Sequence, residues 1–311
     1  MKMSRRWVRN RAFVPQAIDG IPTIGLVAGM VIVASVCAPL EMHAQVLDNT
    51  QNAYRLTVST WLGPVSAIAS RLFVVLATIE VAISGLLYTL RRDSLDEMAA
   101  KFLLKFIILS FVLMLITSAS FWLKPIVNGL ATAGQVGGGG VSNIGPSGIV
   151  DLGLQIAWGL IDTRGLPMSF ASLETSLYAL TSRLVITFSF VAVAVMVILT
   201  WVEAYVALAG GVLFLGFGGM RATAQFAENY LAFLFYIGAR LFALYLLLGI
   251  GITIIRNQIA AMPPAMTPSQ MGELLAMSVI FAAITVRVPM SLASRVAGSG
   301  SFGLAHALRS L

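Results

Sequence analysis

Residues 184–220 read LVITFSFVAVAVMVILTWVEAYVALAGGVLFLGFGGM, 37 residues with a single charge, Glu203. As one helix this run would measure roughly 55 Å, too long for one bilayer crossing of about 20 residues. Gly210-Gly211 and the Gly216-Phe217-Gly218-Gly219 cluster weaken its second half. It is either two crossings, or one crossing followed by a short buried or interfacial segment. The rest of the chain of 311 residues has the same character: 58% hydrophobic, 11% charged, mean hydropathy +0.90. A soluble domain carries about 25% charged residues. So few charges cannot coat a globule of this size, which excludes disorder and argues against a water-soluble enzyme. The expectation is an all-α, polytopic membrane helix bundle.

Outward from that run, four more stretches suit a crossing: Leu72–Leu90 (with Glu80 inside), Phe106–Leu123, Tyr230–Ile255 (with Arg240 inside) and Met271–Val288. Basic residues collect in cytoplasmic loops, and this bias decides how 184–220 is counted. With one crossing there are five mature spans, N-terminus out and C-terminus in. Arg91, Arg92, Lys101, Lys105, Arg221, Arg287, Arg295 and Arg309 then lie inside. Arg55, Arg71, Lys124, Arg164, Arg183 and Arg256 lie outside, spread over longer segments. With two crossings the C-terminal arginines would face outward, so five spans are expected. The net charge of +7 is then a matter of topology and requires no DNA-binding surface.

The N-terminus has the form of an export signal. Lys2, Arg5, Arg6, Arg9 and Arg11 make a basic region, Thr23–Leu40 an uncharged apolar stretch, and His43-Ala44 a cleavage site before Gln45. The other reading is an uncleaved signal anchor. Cleavage would lower the net charge to +4 and remove Cys37, the single cysteine. The organisation expected is a signal segment at 1–44 and a periplasmic, interfacial amphipathic segment at 45–70. Transmembrane helices 1–2 follow at 71–124 and a periplasmic loop at 125–182. Transmembrane helices 3–5 occupy 183–292, before a cytoplasmic tail at 293–311. Tyr54, Val58, Trp61, Leu62 and Val65 follow helical spacing, and Gly63-Pro64 would turn the chain into the bilayer. The large loop opens with a flexible glycine stretch, Gly134 to Gly140, before two short amphipathic helices near 149–162 and 169–182.

Catalytic and metal signatures are missing. There is no phosphate-binding Gly-x-x-x-x-Gly-Lys-Ser/Thr loop, and His43 and His306 alone make no metal cluster. Gly145-Pro146-Ser147-Gly148 is similar to the Gly-x-Ser-Gly of rhomboid proteases. That chemistry needs a histidine base within reach of the serine, and His306 belongs to a tail on the opposite side. No enzyme activity, cofactor or metal is expected. What remains are ionisable groups at membrane depth, Glu80, Glu203 and Arg240, and the glycines Gly210, Gly211, Gly218 and Gly219, with Trp201 beside Glu203. Charges at depth mark an ion or substrate path, or they pair structurally. The glycines either let helices approach closely or break a helix where backbone lines a cavity. In the five-span reading Glu80 is roughly 15 Å from the cytoplasmic end of its span, and Arg240 roughly 15–18 Å along its own. A Glu80–Arg240 pair, within one subunit or between neighbours, is therefore expected, with Glu203 as second candidate partner.

Four stretches then give the chain a family likeness. They are His43-Ala44-Gln45; Arg71-Leu72-Phe73 through Ala77-Thr78-Ile79-Glu80-Val81; Trp201-Val202-Glu203-Ala204-Tyr205 with Leu213-Phe214-Leu215-Gly216-Phe217-Gly218-Gly219; and Phe226-Ala227-Glu228-Asn229-Tyr230-Leu231 through Gly238-Ala239-Arg240-Leu241-Phe242. The sequence resembles the TrbL family of conjugative type IV secretion proteins, related to the polytopic inner-membrane VirB component. Many relatives continue past the last span with Gly- and Ser-rich sequence, whereas this sequence stops at Leu311. The resemblance implies a structural inner-membrane subunit of the translocation channel and mating-pair formation platform. Its implied partners are the stalk, pilus and inner-membrane components, the traffic ATPases, further copies of itself, the lipid bilayer and, transiently, DNA–protein substrate. The competing reading is a small-solute or ion transporter using Glu80, Glu203 and Arg240.

Overall fold

The computed structural model describes residues 44–91, 95–139, 145–160, 170–261 and 267–298. The export signal with Cys37 and His43, and the end of the tail with His306 and Arg309, lie outside the described residues. The described chain is helical, with no strand. Five of its helical stretches are long and apolar enough to cross a membrane, among the described residues.

The first helix, α1 (Ala44–Ser59), is amphipathic: Val58 is buried while Tyr54 and Leu56 are exposed. A turn at Thr60-Trp61 leads into α2 (Leu62–Arg91). The helix break therefore precedes Gly63-Pro64 instead of falling on it. Pro64 sits in the first turn of α2, where its missing N–H has no intrahelical partner to lose. Next, α3 (Leu95–Thr117) returns beside α2, with Tyr88 and Phe102 edge to face at 5.7 Å.

The second span starts earlier than Phe106 and ends earlier than Leu123. At Ser118 the chain bends into α4 (Ala119–Gly137). This helix contains Pro125 and covers most of the glycine stretch expected to be flexible. The glycines are ordered because they are what lets α4 lie flat on its neighbour. That neighbour is the long α8 (Ala224–Ala260). A Cβ on Gly134 would meet the Phe242 backbone, and one on Gly249 would collide with the Gly138 carbonyl. Helices without side chains between them pack backbone to backbone.

After α4 comes the short α5 (Pro146–Leu154), extended by a π-helical turn at Gln155–Leu160. The second amphipathic helix foreseen near 169–182 is not separate. It runs without a break into the next span as α6 (Phe170–Gly210), 41 residues. The 184–220 stretch holds one span-length helix, not two: α6 stops at Gly210, a five-residue α7 (Val212–Gly216) and a 3-10 turn (Phe217–Gly219) follow, and α8 starts back. The Tyr230 hydroxyl of α8 donates to the Ala207 carbonyl of α6 at 3.1 Å, fixing the two side by side. The last helix, α9 (Pro268–Gly298), packs on α6 and α8, with Phe281 against Phe190 and over Gly251.

Two apolar cores result. One gathers α2, α3, most of α4, the end of α6, α7 and the first half of α8 around Phe73, Val112, Ile116 and Leu215. The other gathers α5, the first half of α6, the second half of α8 and α9 around Ile149, Phe190, Leu248 and Leu274. Trp201 and Tyr245 pack against both.

Candidate functional site

The charges foreseen within the membrane fall into two separate clusters. In the first, Glu80 of α2 is buried. Its Oε1 accepts from Lys105 Nζ of α3 at 2.8 Å, and Lys105 is wholly buried at 0% exposure. The ammonium also donates to Ser84 Oγ, whose hydroxyl in turn donates to the Glu80 backbone carbonyl at 2.7 Å. The second carboxylate oxygen, Oε2, accepts the backbone N–H of Arg221 at 3.2 Å, and the Arg221 Nε lies 3.6 Å from Oε1. One carboxylate thus holds two helices and the turn before α8. Each of these groups would be costly alone at depth, and pairing with hydrogen bonds offsets that cost.

In the second cluster, Arg240 Nη1 of α8 donates to Glu203 Oε2 of α6 at 2.6 Å. Arg240 is buried, its Nε without a hydrogen-bond partner, while the Glu203 side chain keeps 37% exposure. Two residues before Glu203, Trp201 Nε1–H donates to Tyr245 Oη at 2.8 Å, and the Trp201 ring stacks on Tyr205 at 5.5 Å. Gln135 of α4 reaches the same Tyr245 hydroxyl. Gln51 of α1 donates to Tyr205 Oη at 3.2 Å. Three helices besides α6 therefore converge on the Trp201–Tyr205 segment.

The expected Glu80–Arg240 pair is not formed within the chain. Counting residues from the ends of two spans assumed that α2 and α8 cross side by side over the same depth. The α7 segment removes that symmetry. A Cβ on Gly216 would stand 2.7 Å from the Ala69 carbonyl, and one on Gly219 2.6 Å from the Phe73 carbonyl. These close approaches set the start of α8 against the middle of α2. Glu80 then faces Arg221, and Arg240 lies about 24 Å further along α8 by helical rise. Arg240 takes the second candidate, Glu203. Lys105, read from sequence as a flanking cytoplasmic charge, is the residue that was missed. The spacing held the signal: Glu80 lies eleven residues before the end of α2 and Lys105 ten after the start of α3, matched positions in an antiparallel pair.

Of the four candidate glycines, Gly211, Gly218 and Gly219 sit where a side chain would meet Tyr230, Val112 and the Phe73 backbone, while Gly210 faces open space. Ser147 is buried in reciprocal bonds with Asp48: the Asp48 N–H donates to Ser147 Oγ at 3.1 Å and the Ser147 N–H donates to Asp48 Oδ1 at 3.3 Å. The serine ties α1 to α5. Beside it, burial and then the Asp48 carboxylate push the Asp151 carboxyl above its usual range. Among the described residues no group of three or more His, Cys, Asp or Glu is placed to hold a metal ion.

The comparisons with known proteins follow the same segments. The sequence profile described as "TrbL/VirB6 plasmid conjugal transfer protein" matches residues 77–288, a stretch that contains both charge clusters. The "Conjugal transfer protein TrbL" of Rhizobium radiobacter is 30% identical over 284 residues, 90% of this chain and 70% of that protein. The "Probable conjugal transfer protein TrbL" of Sinorhizobium fredii is 28% identical over 290 residues, 91% of this chain and 72% of that protein. With its all-α bundle of apolar helices and this match over most of its length, the chain is a multi-pass membrane protein and belongs to the TrbL/VirB6 family of plasmid conjugal transfer proteins.

Proposed function

We propose that the chain is a structural, non-enzymatic subunit of the inner-membrane platform of a conjugative type IV secretion system. It forms part of the translocation channel and mating-pair formation apparatus, on which the pilus is assembled and through which DNA–protein substrate passes. The observation that carries this reading is the family match through residues 77–288. Within that stretch Glu80, Glu203 and Arg240 are all engaged in ion pairs, which supports structural pairing over a transport path. Its partners are stalk, pilus and inner-membrane components and further copies of the chain, with transient contact to the substrate. Traffic ATPases supply the energy. The orientation is N-terminus periplasmic and C-terminus cytoplasmic, supported by the basic residues between α2 and α3 and along the last helix.

Deleting the gene tests this reading. Conjugative transfer and pilus formation are expected to be lost and to return on complementation, while the traffic ATPases keep their ATP hydrolysis. Normal transfer from the deletion strain would overturn it.

A further inference from the structure

The apolar stretch of α2 runs from Leu72 to Leu90, and Glu80 is near its middle. Beside this middle the chain leaves the α-helical path. Gly216 approaches Ala69, Gly219 approaches Phe73 and Ala77, and Arg221 meets Glu80. On α3, Val112 lies against Gly218 and Lys105 meets Glu80. Beyond this level α2 and α3 continue together for roughly 15 Å by helical rise, to Arg91 and Leu95. Its α2 side is apolar on the outside, with Leu86 and Leu90 62% and 70% exposed, as is Leu103 of α3 at 64%, while the first turn of α3 exposes Asp96 and Glu97 and marks the polar end. The apolar part of this surface belongs in hydrocarbon. The turn between α7 and α8 therefore sits beside the middle of α2, roughly 15 Å short of the α2–α3 connection.

Backbone outside a helix is tolerated at such depth where protein buries it or where it lines water. One side of this turn is buried. Gly218 and Gly219 are covered, the Arg221 N–H goes to Glu80, and the Thr223 hydroxyl donates to the Phe217 carbonyl at 2.7 Å. The other side is open and carries polar groups beside the exposed Phe226. Ala222, Gln225 and Asn229 are exposed, and the Arg221 side chain is 33% exposed. Gln225 and Asn229 lie four apart, on one face of the first turns of α8. One further turn along, that face ends in the exposed Phe233. Two carboxamides and a guanidinium set against hydrocarbon would have unmet donors and acceptors, and hydration removes that penalty.

We propose that residues 221–229 line a water-filled vestibule within the membrane. It reaches mid-depth of the α2–α3 crossing and opens on the side where α2 and α3 meet. That side is cytoplasmic in the orientation proposed above, on which only the naming of the side rests. The Glu80–Lys105–Arg221 cluster is its inner wall: it anchors the broken backbone so that the polar face stays open.

The test is thiol accessibility in membranes carrying the complete secretion system. In a Cys37→Ser background, Gln225→Cys, Asn229→Cys, Leu86→Cys, Leu103→Cys and Asp96→Cys are introduced singly, and variants that retain transfer are used. A charged, membrane-impermeant thiol reagent is applied to inside-out and right-side-out vesicles. Gln225→Cys and Asn229→Cys are expected to react on the same side as Asp96→Cys. Leu86→Cys and Leu103→Cys, although nearer the helix ends, should react more than about tenfold slower, because apolar surroundings keep a thiol protonated and only the thiolate attacks. Equal rates for the two pairs overturn the vestibule. If all are slow the turn is covered, and if all are fast the α2–α3 extension lies outside the bilayer. Reaction of positions 225 and 229 on the side opposite Asp96 also overturns it. A switch of Asp96→Cys itself to right-side-out vesicles would instead overturn the proposed orientation.

Discussion

At the scale of single residues, the two ion pairs differ in burial and so in consequence. Lys105 and Glu80 are both buried, and removing one partner of such a pair commonly costs about 3–5 kcal/mol, because the other charge remains alone. Lys105→Ala should therefore sharply lower the amount of folded protein recovered in mild detergent. Lys105→Met combined with Glu80→Gln should recover part of that loss, since no lone charge remains. A double variant as poor as Lys105→Ala, at equal synthesis, would remove the pairing argument. Glu203 is partly exposed, so losing its partner is milder: Arg240→Ala should lower protein level less than Lys105→Ala. The exchange Glu203→Arg with Arg240→Glu should restore what Arg240→Ala loses. The exchange Glu80→Arg with Arg240→Glu should be no better than either single change. Recovery by the second exchange and not the first would reinstate a Glu80–Arg240 contact. The identities of these charges were legible in the sequence. Their pairing was not, because it depends on where a glycine-rich turn places one helix along another.

At the scale of elements, that turn is the feature read only in part. Gly210-Gly211 and Gly216–Gly219 identify a weak point in a 37-residue apolar run, and the single crossing follows from charge bias. What the glycines do individually depends on neighbours distant in sequence. Gly219 lets the Phe73 carbonyl approach, and backbone on both sides leaves nothing flexible to give way. Gly219→Ala should destabilise the protein by roughly 1–3 kcal/mol, the usual cost of overpacking. Gly210 ends α6 in open space. Gly210→Ala should be neutral or stabilising by up to about 1 kcal/mol, through helix propensity alone. Thermal unfolding in detergent, followed by loss of the monodisperse chromatographic peak, reads both. Shifts of the same sign and size would mean that the turn is loosely packed. The same logic explains why the glycines of α4 misled: Gly134 and Gly138 suggest a flexible loop until Phe242, Tyr245 and Gly249 are seen against them.

At the scale of the whole molecule, the order of crossings follows from which helices lie side by side. α2 and α3 are antiparallel, α6 and α8 are held antiparallel by the Tyr230–Ala207 bond, and α9 packs on both α6 and α8. Because α7 is only five residues long, about 7.5 Å by rise, it cannot carry the chain back across a hydrocarbon core of about 30 Å. With α7 adding no crossing of its own, the proposed five-span topology puts the two ends of the described chain on opposite sides. α6, at 41 residues, is roughly 60 Å long by rise, about twice that thickness. Its first turns therefore stand outside the hydrocarbon, with α5 beside them. Alkaline phosphatase fused after Gly148 or Gln270 should be active, and fused after Ser94 or Ser310 inactive. An active Ser310 fusion alone would mean an even number of crossings, and α7 with its glycines would have to open into a full span. All four results inverted would leave the fold intact and reverse the charge argument, because residues such as Arg91, Arg221 and Arg287 would then face the periplasm.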